Sequence, residues 1–133
     1  MALKLYLKPK EKIIINQAVI VNGDNKTEIL LQNQANVMRE KDILTEDKAV
    51  TPASRAYFSV QLLYLFPELK EKNKKNALQF LQDYAEAATS SKEIVYDIRA
   101  KLENEDYYGA LKGCRDLIHH ESEVLQDAKQ GPA

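Results

Sequence analysis

The sequence predicts an α+β protein in which a small N-terminal antiparallel β-sheet is followed by a C-terminal bundle of about four helices. Three observations carry this. Leu3, Leu5 and Leu7 are interleaved with Lys4, Tyr6 and Lys8, the period of a strand with one buried face. Short β-branched runs follow, Ile13-Ile14-Ile15 and Ala18-Val19-Ile20-Val21. Beyond Thr51-Pro52 the apolar spacing becomes helical. The expected division is a β-rich part over 1–44, a helical part over 45–129 and a loose tail over 130–133.

Within the first part, Pro9 ends the first strand because it has no amide to donate. Asn22-Gly23-Asp24-Asn25 is a hairpin signal, since Asn-Gly tolerates positive φ at little cost. Thr27 to Gln32 then supplies the returning strand, and Val37-Met38 a short last one. In the second part, Thr51 caps a helix with Pro52 at its first position. This helix carries Tyr57, Phe58, Leu62, Leu63, Tyr64, Leu65 and Phe66, a broader apolar band than one face can bury beneath a small sheet. It is therefore expected to lie centrally or to present a spare face to a partner. The polar run Lys70 to Lys75 opens the second helix and is expected to fray or to be partly loop. Ser90-x-x-Glu93 reads as a capping box for a third helix, and Asn104-Glu105-Asp106 separates it from a fourth.

The 133 residues match one modest core, and the single cysteine, Cys114, has no internal disulfide partner. Its place in a helical pattern predicts a buried structural thiol. No apolar run reaches the roughly 18 residues that a membrane span needs. A cytoplasmic protein that meets no membrane is the expectation. Residues 1–41 carry seven Lys/Arg against four Asp/Glu, whereas residues 93–128 are acidic, so two differently charged faces are expected.

Catalytic constellations are sparse. His119 and His120 point about 100° apart on a helix and cannot share a metal. They are expected on the helix surface, with His119 able to meet Glu123 four residues on. Gly109 and Gly113 are expected to allow close helix packing. There is no glycine-rich phosphate loop, no nucleophile elbow and no calcium loop. No enzyme activity, cofactor or metal is expected.

Four stretches carry a resemblance: "LKPKEKIIINQAVIVNGD", "REKDILTE", "TPASRAYFSVQLLYL" and "YYGALKGCRDLI". Together they strongly resemble the FlbT family of flagellum-biosynthesis regulators. The resemblance implies binding to the untranslated leader of flagellin mRNA, with FlaF or flagellin itself as protein partner. The first 43 residues also resemble, more weakly, the carbon-storage-regulator (CsrA) family of translational regulators. The correspondence runs through Leu3–Leu7, Lys10-Glu11 and Val37-Met38-Arg39-Glu40, with Lys10 and Asn36 standing where that family has glycine and proline. That resemblance implies a homodimer, with the first strand and the Val-x-Arg-Glu segment paired across it and gripping RNA.

The residue types suit such a role. Arg39 offers a fork of donors for a phosphate or for guanine O6 and N7. Lys4, Lys8, Lys10, Lys12 and Lys41 supply sequence-independent attraction to the backbone. Tyr6 shares a strand face with Lys4 and Lys8 and is a candidate stacking platform. The bland alternative is an edge strand guarded by lysines. A second functional class stays open: a helical adaptor or chaperone-like factor in flagellum assembly, acting on mRNA only indirectly.

Overall fold

Five strands come first and four α-helices follow, as the sequence predicts. The structure, a computed structural model, describes residues 2–130, and only the backbone of 127–130. The expected tail therefore lies, after Gln130, outside the described residues. The strands are β1 (Leu3–Leu7), β2 (Lys12–Ile15), β3 (Ala18–Val21), β4 (Thr27–Leu31) and β5 (Val37–Arg39). The helices are α1 (Pro52–Leu65), α2 (Lys70–Ala87), α3 (Lys92–Glu103) and α4 (Tyr107–Gln130). The chain divides into two compact units between Ile43 and Leu44.

In the first unit the strands form two small antiparallel sheets, β1-β4 and β3-β2-β5. Here the expected hairpin is corrected. Asn22–Asn25 joins β3 to β4, but those strands do not pair. β3 folds back on β2 through Asn16-Gln17, where Asn16 takes a positive φ of 56°, and Ile13 faces Ile20. β4 returns to β1, with Leu3 opposite Leu31 and Leu7 opposite Thr27. The Asn22 side chain explains the diversion: its Nδ2 donates to Lys8 O at 2.7 Å and Asn25 O at 2.9 Å, tying the loop to the end of β1. β5 closes the other side, with Ile13 opposite Arg39 and Ile14 opposite Met38. Both β1 and β5 thus pair with strands of their own chain.

Leu7, Ile13 and Met38 are buried, while Leu3 remains exposed, so the alternation in β1 reaches the core only at its C-terminal end. β3 is an edge strand exposed along its whole length, with Val19 61% and Val21 60% accessible. An apolar edge without a charge is the kind that seeks a partner strand.

Lys10 adopts φ 61°, the left-handed region that costs an L-residue about 1 kcal/mol and glycine nothing. Its amide donates to Gly23 O at 2.8 Å, which holds the turn in that shape. Lys10→Gly is therefore expected to raise the stability of this unit by about 1 kcal/mol, less glycine's greater unfolded-state freedom. Urea denaturation followed by strand circular dichroism checks the sign; a loss of stability would mean that the loop can relax around lysine.

In the second unit α1 is central. It packs on α2 and α4, and α3 packs on α4. Ala53, Ala56, Tyr57, Val60, Leu63, Tyr64 and Leu65 are buried, while Phe58, Leu62 and Phe66 of the broad apolar band are half-buried. Ala77, Leu81 and Tyr84 of α2, Val95, Ile98 and Leu102 of α3, and Ala110, Leu111, Cys114 and Leu117 of α4 complete the core at helical spacing. Each fully buried leucine contributes about 2 kcal/mol by leaving water.

Three local expectations are corrected. Lys70 to Lys75 is regular helix: Lys70 pairs with Glu105 at 3.6 Å and Lys74 with Glu103 at 3.5 Å, and Lys and Glu are good helix formers. Ser90-x-x-Glu93 is not a capping box, because α3 starts at Lys92 behind a 3-10 turn and Ser90 Oγ is bonded to His120 instead. Asp106 caps α4, its Oδ1 accepting from the Gly109 amide at 2.9 Å, and Gly109 leaves room for that carboxylate, which an added Cβ would meet. Gly113 alone serves close packing, since an added Cβ would lie 2.5 Å from Ile98 Cγ1.

The true capping box opens α1. Ser54 N donates to Thr51 Oγ1 at 3.2 Å and Thr51 N to Ser54 Oγ at 2.9 Å. Glu121 of α4 completes this cap, accepting from Thr51 Oγ1 at 2.6 Å and from Ala53 N at 3.2 Å. A carboxylate there satisfies an orphan amide and complements the helix dipole. Glu121→Ala should cost about 1–2 kcal/mol, and Glu121→Gln clearly less, read as a shift in the urea midpoint of the helical signal.

Candidate nucleic-acid interface

The β1–β2 turn and the end of β5 meet at Glu11. Lys8 N donates to Glu11 Oε1 at 2.9 Å, and Arg39 reaches the same carboxylate from β5. Its Nε donates to Oε2 at 3.1 Å, and its Nη2 to Oε1 at 3.1 Å and to Oε2 at 3.0 Å. Nη2 also donates to Tyr6 O at 2.6 Å. One guanidinium therefore ties β1, the turn and β5 together. The side chains of Arg39 and Glu11 are 30% and 13% exposed, so this is a half-buried pair. The Lys8 amide, with the Arg39 hydrogen bond and charge, holds the Glu11 carboxyl below its ordinary value, against the opposing pull of burial.

Beside this pair lies an open pocket of about 480 Å³ lined by Lys8, Pro9, Lys10, Glu11, Arg39, Glu40 and Lys41. It gathers four of the seven candidate residues: Lys8, Lys10, Arg39 and Lys41. Cations outnumber anions two to one in the lining, which suits a phosphate group. Lys10 is loosely engaged by Asp24 at 3.4 Å, both ends solvated. Tyr6 lies apart, in a second hollow that shares Lys8 with the first. Lys4 is paired with Glu28 at 3.5 Å on the β1–β4 ladder. Lys12 is exposed on β2 opposite Val21 and lines neither hollow.

Glu11 and Glu40 are the site residues that composition did not single out. The spacing Lys8-x-x-Glu11 across a proline turn is the signal for Glu11, because it lets the carboxylate fold back on the Lys8 amide.

The helical unit offers little chemistry. His119 Nε2 lies 2.9 Å from Glu123 Oε1 on the surface, as the spacing predicts. His120 differs from expectation: it is half-buried, with Nδ1 2.8 Å from Tyr84 Oη and Nε2 2.9 Å from Ser90 Oγ. Burial first, then the Glu121 charge, pushes the Tyr84 phenol up to about 12. Cys114 is buried, and that burial pushes its thiol up to about 12, as a structural thiol requires. Among the described residues no group of three His, Cys, Asp or Glu is placed to hold a metal. No helix among them is long and apolar enough to cross a membrane.

The family described as "Flagellar protein FlbT" matches residues 3–125. The chain belongs to the FlbT family. Curated relatives include the "Probable flagellum biosynthesis repressor protein FlbT" of Rhodopseudomonas palustris, 38% identical over 94% of this chain and 98% of the relative. The "Flagellum biosynthesis repressor protein FlbT" of Caulobacter vibrioides is 36% identical over 98% of this chain and 94% of the relative. A more distant FlbT, from Brucella ovis, is 25% identical over 90% of this chain and 68% of its own length. The FlbT match takes in both compact units, and all seven candidate residues fall within it. No solved structure matches the chain.

Proposed function

We propose that this FlbT protein regulates flagellum biosynthesis by binding the 5′ untranslated leader of flagellin mRNA and controlling its translation or stability. The single observation that carries the reading is the pocket in which Lys8, Lys10 and Lys41 surround the Arg39–Glu11 pair. Lysines displayed around a hollow where the β1–β2 turn meets the end of β5 suit the backbone of an unpaired RNA strand. The relatives' names supply the process, flagellum biosynthesis, and the sense of action, repression. The chain acts without catalysis or cofactor, and in the cytoplasm, where its message is.

Self-association belongs to the same reading. The apolar edge of β3 lacks the lysines or proline that usually protect a free edge, and a second copy would cover it. Light scattering should give a dimer; a 15.2 kDa monomer at tens of micromolar, a working concentration for such equilibria, would refute it. The acidic helical unit is left for FlaF or flagellin.

The deciding experiment is a fluorescence titration against a flagellin mRNA leader, with a scrambled leader as control. Lys8→Ala and Lys41→Ala should weaken both RNAs and each take about 0.7 off the slope of log K against log salt. Lys12→Ala, outside the pocket, should do so less. Equal and weak binding of both leaders, untouched by these changes, would leave the helical adaptor as the better reading.

A further inference from the structure

We propose that the second hollow is a base-binding subsite, where one unpaired RNA base stacks on Tyr6 while Lys8 and Lys26 hold the flanking phosphates. The proposal rests on the RNA-binding reading above and deepens it. This hollow measures about 460 Å³ and is lined by Tyr6, Leu7, Lys8, Lys26, Thr27 and Glu28. Its floor is sheet, since Tyr6 faces Glu28 and Leu7 faces Thr27 across the β1–β4 ladder.

The strand holds an aromatic ring in water. Tyr6 is 63% exposed although its neighbour Leu7 is buried, so the backbone carrying the ring is fixed while the ring stays available. A π-face presented in this way binds any base, and two cations lining the same hollow select nucleic acid over an apolar ligand. Among the described residues Lys8 and Lys26 form no ion pair, unlike Lys4 and Lys10, which are engaged by Glu28 and Asp24. Lys26 thus offers its charge to phosphate, and Lys8 does so from beside the Glu11 carboxylate, whose charge it feels without a direct ion pair.

Lys26 was invisible as a site residue because it lies eighteen positions from Lys8, beyond the loop that the sequence assigns to a hairpin. Asn22 brings the two segments together: the same Nδ2 that bonds Lys8 O also bonds Asn25 O, next to Lys26. The backbone positions of the two lysines are thus set by a clamp, not by a floppy loop. Lys8 also lines the first pocket, so a strand leaving Tyr6 passes directly to Lys10 and Lys41. The ligand is then a single strand of at least two nucleotides; a duplex keeps its bases stacked on one another and cannot offer one to the ring.

The chain has no tryptophan, which makes Tyr6→Trp a sole reporter. Full-length protein would be titrated with a single-stranded ribo-oligonucleotide of about six residues, within the site size of small single-strand binders. Affinity is read by anisotropy of the labelled RNA and stacking by indole emission. Tyr6→Phe should bind like wild type, Tyr6→Leu about tenfold or more weakly, as expected for one lost stack. Lys26→Ala should weaken every sequence alike and take about 0.7 off the salt slope. The Tyr6→Trp emission should be quenched in proportion to saturation. RNA that binds Tyr6→Leu as tightly as wild type and leaves the indole unquenched would overturn the subsite while leaving RNA binding intact. Wild type that binds no RNA would overturn both readings. An indole that shifts to the blue with flagellin and not with RNA would make the hollow a protein-docking site and overturn the proposal.

Discussion

Arg39→Ala is expected to destabilise the N-terminal unit by about 2 kcal/mol, the cost of leaving a partly buried carboxylate without its charged partner. On sequence alone Arg39 is a donor fork for a phosphate or a guanine edge. In the structure its Nε and Nη2 are committed to Glu11 and to Tyr6 O, and among the described residues Nη1 alone has no such partner. The loss of affinity for RNA in Arg39→Ala should therefore be inseparable from a loss of stability. Arg39→Lys should recover only part of either, because a point charge cannot reproduce the two-pronged contact. Glu11→Gln supplies the cross-check: in a double-mutant cycle the two changes should be strongly non-additive.

The same pair gives a pH dependence. The Glu11 carboxyl sits below its ordinary value of 4.5 in the folded state. A group depressed on folding contributes stability above its unfolded value and loses that contribution as pH falls through the folded one. The stability gap between wild type and Arg39→Ala should accordingly be full near neutrality and narrow below 4.5. A gap that stays constant down to acid would show that Arg39 acts through Tyr6 O alone.

The second large effect belongs to Gly113. Gly113→Val should destabilise the helical unit by roughly 3 kcal/mol, the upper range for overpacking a tight site. The first carbon added would already lie 2.5 Å from Ile98 Cγ1, inside contact distance, and Ile98 is fully buried between α3 and α4. Valine is the informative choice, since Gly113→Ala gains about 1 kcal/mol of helix propensity that would mask the clash. Ile98→Ala in the same chain removes the colliding atoms, so the double variant should be more stable than the sum of the two single losses predicts. Additive thermal midpoints would mean that the helices simply move apart.

What was legible in the sequence is what is local. The period of two in Leu3–Leu7, the β-branched runs at 13–15 and 18–21, and Thr51-Pro52 all state their structure within a few residues. The misreadings come where a distant group decides. Asn22-Gly23 carries a sound turn signal, yet β4 pairs with β1, because Asn22 spends its amide on Lys8 O. Ser90 has the right neighbour for a capping box, but its hydroxyl is taken by His120, thirty residues on. The candidate site divides the same way. Its lysines are visible as charges on a basic segment. The engagement of Arg39 is not, because it depends on the antiparallel register that sets Ile13 against Arg39 and so brings β5 beside Glu11.

The cap that Glu121 places on α1 joins positions seventy residues apart. Every strand pairing of the β unit, by contrast, closes within the first 43 residues. A ribosome making this chain at about 5–20 residues per second releases the β unit seconds before the segment around Glu121. During that interval α1 has neither its carboxylate cap nor α4 to lie against. The order of emergence thus separates two maturation events: the strands can fold while translation continues, and the helical unit must wait for its last helix.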